Sequence, residues 1–123
     1  MKSSLIGKLL VFVAVCSLSQ LSFAQDATKT IAGILANMNH FASDAEKATL
    51  MAIAADEGNN RGVRAIATAV SNIQHAATAE DKEMMGRIMG ADMASAPVKS
   101  IAGVVAEFNH MASAEAKATL ASL

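Results

Sequence analysis

His40, His75 and His110 are the only histidines in this 123-residue chain, and each stands thirty-five positions from the next. Neutral imidazole is a ligand for zinc and copper, and three imidazoles can supply most of one coordination sphere. A shared ion needs a ring nitrogen from each at about 2 Å. If the segments that carry the histidines stack as an open array, equivalent residues line an edge about 8–10 Å apart, one interhelix spacing. Only a closed, pseudo-threefold arrangement brings them together. A second job competes with metal binding. Each histidine falls in the last turn of a helical pattern, where the dipole favours a cation and a ring can bond free carbonyls. Helix capping is therefore the expected role, and zinc or copper binding the alternative.

Methionine is the other residue type with ligand chemistry. Met85, Met89 and Met93 recur every four residues, with Met84 adjacent, and thioether clusters can hold copper(I). The same spacing suits burial of an adaptable side chain, so core packing is the expected role. Asp56-Glu57-Gly58-Asn59-Asn60 lacks the register of oxygen ligands and glycine that a calcium loop requires, and reads as a linker. No serine–histidine–acid order, phosphate loop or zinc-protease helix is present. Ser43 and Ser113 lie near histidines, but helix capping accounts for them. Catalysis is not expected, and no cofactor is called for.

The elements that position these residues follow from an internal repeat. Lys29-Thr30-Ile31-Ala32-Gly33 recurs as Lys99-Ser100-Ile101-Ala102-Gly103, Asn39-His40 as Asn109-His110, and Lys47-Ala48-Thr49-Leu50 as Lys117-Ala118-Thr119-Leu120, all without a gap. Half that offset reveals a middle copy carrying Val63, Ile66, Val70, His75 and Lys82. The repeats span 28–57, 63–92 and 98–123. In each, a stripe of apolar residues at helical spacing (Ile31, Leu35, Met38; Val63, Ile66, Val70, Ile73; Val98, Ile101, Val105, Phe108) predicts a first helix. Ser43, Thr78 and Ser113 are N-cap residues for a second. Glu46 completes a capping box with Ser43, and Asp81 a weaker one with Thr78. The second helices are expected to bury Leu50 and Ile53, Met85 and Ile88, then Leu120 and Leu123. Gly58 is the expected C-cap of the first hairpin, and Ser95 with Pro97 opens the third repeat. The fold class is all-α: three tandem hairpins of about six short helices, either solenoid-like or closed into a small bundle.

Gly33, Asn37 and His40 form a second stripe, with counterparts Thr68, Asn72, His75 and Gly103, Glu107, His110. Glycine inside a helix costs about 1 kcal/mol relative to alanine. Its use in two copies predicts close approach of another helix backbone, or failing that the contact face for a partner.

Residues 1–24 read as a signal peptide. Lys2 and Lys8 precede an apolar run at Leu9–Val15, and Ser22-Phe23-Ala24 places small residues for cleavage between Ala24 and Gln25. The run is short of the roughly 20 residues a membrane span needs, so no span is expected after processing. Cleavage removes Cys16, the only cysteine, and leaves 25–123 as one domain without disulfides. The formal charge of −1 becomes about −3, and the scattered basic residues argue against nucleic acid. The composite expectation is a periplasmic or secreted helical-repeat protein that acts by binding a protein or itself. The alternative is a metal-binding protein that uses the repeated histidines and methionines.

Overall fold

A computed structural model of the chain describes residues 27–123. The expected signal peptide, the Ala24–Gln25 cleavage point and Cys16 lie outside the described residues. Six α-helices make up the fold: α1 over 27–37, α2 Asp44–Ala55, α3 Arg61–Ser71, α4 Ala79–Met89, α5 Ala96–Glu107 and α6 Ala114–Ala121. No strand occurs among the described residues.

The starts of the second helices follow the sequence signals. Ser43 accepts from the Glu46 N–H while the Glu46 carboxylate accepts from the Ser43 N–H, a reciprocal capping box. Thr78 and Ser113 accept from the Asp81 and Ala116 N–H groups, at 3.1 Å each. Asn60 and Ser95 cap α3 and α5 in the same way, with Pro97 in the first turn of α5. Each cap satisfies one donor that a helix start leaves unpaired. Gly58 does not cap α2. The C-cap is Asp56, no described glycine has a positive φ, and the Gly58 N–H donates to Asp56 Oδ1. The carbonyls at the end of α2 are satisfied from further along the chain, by buried Asn59 on Ile53 and by the Arg64 guanidinium on Ala54.

The three repeats close on one another. Ile31, Ile66 and Ile101 are each 1% exposed, so the equivalent side chains share one environment. Leu35, Val70 and Val105 form the next layer, and Met38, Ile73 and Phe108 the one beyond, all buried. α1, α3 and α5 thus surround a common axis with their apolar stripes inward. They run the same way. Thr28, Asn60 and Ser95, at or near their starts, border one surface depression, and their far ends meet at the histidines. α2 packs on α3 and α4 on α5, so each second helix leans on the first helix of the following repeat. α6 faces α1 across a shallow groove that Ala32, Gly33, Leu120 and Leu123 border, completing the circuit. The open solenoid is excluded, and a compact closed bundle takes its place. The end face that a solenoid would expose is covered by this circular packing.

Two packing expectations need correction. Met85 is fully buried, but Met84 and Met89 are exposed, and Met93 lies beyond α4 at 98% exposure. The methionine stripe is one core residue with three surface neighbours, because α4 turns a single narrow edge inward. Leu123 is only half-buried and lies past the end of α6.

Candidate metal centre

The chain leaves each inner helix by the same route. The N–H groups of Met38, Ile73 and Phe108 donate to the carbonyls of Leu35, Val70 and Val105, tightening the last turn. Burial of these three side chains holds the following residues close to the axis. An amide residue comes next (Asn39, Gln74, Asn109) and then a histidine with φ of 72°, 70° and 68°. These are the only described residues other than glycine on the left-handed side of the Ramachandran map. Histidine is among the residue types enriched there, yet the conformation costs of order 1–3 kcal/mol at each position unless the surroundings impose it. Around His40 and His110 the chain closes a three-residue turn, with Phe41 and Met111 N–H groups bonded to the Asn39 and Asn109 carbonyls.

What imposes the turn is a ring of backbone hydrogen bonds. The His75 N–H donates to the His40 carbonyl at 2.7 Å, the His110 N–H to the His75 carbonyl at 2.5 Å, and the His40 N–H to the His110 carbonyl at 2.5 Å. Each repeat gives one bond and takes one. Isolated bridge pairings of Asn39 with Met111 and Ala76 with Asn109 flank this triangle. The expected capping role for the rings is therefore corrected. The histidines lie past the ends of α1, α3 and α5, and no ring nitrogen bonds a helix carbonyl. It is the backbone of each histidine that ties the repeats together.

The side chains converge with the backbone. Ring centroids are 5.0, 5.1 and 5.2 Å apart, His40 being nearly perpendicular to both others. One ring nitrogen from each can be chosen so that all three lie within 4.8 Å of one another. His40 is half-buried, while His75 and His110 face solvent. Nitrogens bound at about 2.0–2.1 Å to one ion would stand about 3.4 Å apart, so small side-chain rotations bring the three rings to ligand spacing. Three helix C-termini also converge here, and no basic residue occupies the last turn of α3 or α5. Their partial negative charges favour a cation at this end. One further contact joins two adjacent side chains here, His110 Nδ1 to Asn109 Oδ1 at 2.7 Å. The recurrence of Asn39-His40 as Asn109-His110 is legible in the sequence, but nothing in the spacing assigns the asparagine a task.

The stripe of Met84, Met85, Met89 and Met93 does not join this site, since Met85 is in the core, Met89 lies against Gly103 on the flank of the bundle and Met93 lies beyond α4. The stripe residues other than the histidines stay on the outside. Gly33, Asn37, Thr68, Asn72 and Glu107 are exposed and Gly103 half-buried. Close backbone approach does not explain the glycines. A Cβ at Gly33 would meet nothing within 4 Å, and one at Gly103 would meet only the Met89 sulfur at 3.4 Å. Asn37 and Thr68 bond carbonyls of their own helices, and Asn72 reaches Asp81 at 3.4 Å. No helix among the described residues is long and apolar enough to cross a membrane. No family model, curated protein or solved structure matches the chain.

Proposed function

We propose that this is an exported protein that binds one divalent zinc- or copper-class ion through His40, His75 and His110. The observation that carries the reading is the convergence of one imidazole from each repeat, with ligand nitrogens within 4.8 Å. Three supports stand beside it. Imidazole sets suit zinc and copper(II), whereas magnesium and calcium prefer oxygen ligands. Three helix ends supply negative potential without a competing lysine or arginine. Residues held in costly left-handed backbone cluster at ligand clamps, and here all three coincide with the candidate ligands. The role is binding rather than catalysis. Metal-assisted chemistry draws on a shaped, dry cavity, and two of these three rings are open to water.

The test is calorimetry and bound-metal analysis with zinc and with copper(II). The native chain should take up one ion, and a variant with His40, His75 and His110 all replaced by alanine should take up none. Absence of uptake at micromolar metal by the native chain would end the reading. Export is tested separately: mass spectrometry of the cell-envelope fraction should find a mature chain that begins at Gln25.

A further inference from the structure

We infer that Asn109 is a positioning residue for His110, selecting the ring tautomer that presents Nε2 to the ion; this rests on the metal-binding reading above. The carboxamide oxygen of Asn109 lies 2.7 Å from His110 Nδ1. A carboxamide oxygen only accepts, so the ring nitrogen facing it carries the proton. In a neutral imidazole the lone pair then belongs to Nε2, the nitrogen remote from the backbone. The contact thus settles which atom of His110 ligates.

The arrangement has the form of an outer-shell partner that fixes a ligand's tautomer and raises its basicity. Both residues are exposed, so the bond adds little to the ion-free protein, where water competes for the same groups. An ion on Nε2 withdraws electron density and makes Nδ1–H a better donor. The bond therefore strengthens when metal arrives, and Asn109 contributes to affinity rather than to folding. Asn39 precedes His40 and Gln74 precedes His75 in the same register, so each histidine has a carboxamide neighbour of the same kind.

The experiment compares the native chain with Asn109→Ala and Asn109→Asp. Two-dimensional nitrogen–proton NMR of the ion-free protein at mildly alkaline pH reads the His110 tautomer, and chelator competition reads zinc affinity. The native His110 should be protonated on Nδ1. Asn109→Ala should shift it toward the Nε2–H form and weaken zinc binding by about tenfold, with the melting temperature of the ion-free protein unchanged. Asn109→Asp keeps an acceptor oxygen and should restore both. An Nε2–H tautomer in the native chain, or undiminished zinc binding by Asn109→Ala, would overturn the inference alone. A native chain that takes up no zinc removes the metal reading itself and this inference with it.

Discussion

At the scale of single residues, each central histidine carries two separable duties. Its backbone sits in a left-handed turn and links neighbouring repeats; its ring points toward the other two. Glycine occupies such a turn without steric cost, so His75→Gly should keep the fold, with stability within about 1 kcal/mol of native, and lose metal binding. A β-branched residue is a poor occupant of positive φ. His75→Val should therefore lose metal binding and also destabilise the protein by about 1–3 kcal/mol in urea titration. Equal stability for the two variants would mean that the turn at φ 70° exerts no steric selection.

At the scale of elements, the helices are short, and their ends are secured by side chains more than by length. Helices of 8 to 12 residues are marginal alone, which makes the caps and the inward stripe the main sources of order. The exposed α1 position Gly33 works against this. Nothing lies within 4 Å of where its Cβ would be, so Gly33→Ala should stabilise the protein by about 0.5–1 kcal/mol, read as a higher denaturation midpoint with unchanged slope. A loss of stability would mean that another segment approaches α1 more closely than the spacing at Gly33 indicates.

At the scale of the whole molecule, closure is the decisive feature. α6 returns to α1, and the His40 N–H to His110 carbonyl bond joins the first repeat to the last. An ion held by one ring from each repeat would bind the closed bundle and not the unfolded chain. Binding at one hundred times the dissociation constant should then add about 2.7 kcal/mol, visible as a melting temperature that climbs with zinc concentration. The triple alanine variant should show no such climb. A native melting temperature indifferent to zinc, despite measured uptake, would place the ion somewhere other than the junction of the repeats.

The sequence by itself determined the helices, their order and the inward faces of α1, α3 and α5. Ile31, Ile66 and Ile101 recur in register, Ser43, Thr78 and Ser113 announce the helix starts, and both signals act over a few residues of chain. Ser95 and Pro97 announced α5 in the same local way. What only the tertiary structure decided is how three such units meet. Stacking and closure bury nearly the same apolar stripe, so periodicity cannot choose between them; a positive φ at His40, His75 and His110, and the hydrogen bonds between repeats that sustain it, make the choice. Those bonds join atoms thirty-five and seventy residues apart through backbone groups that every residue type except proline possesses. For that reason the histidines could be recognised as a repeated set from their spacing, while their meeting around one axis could not.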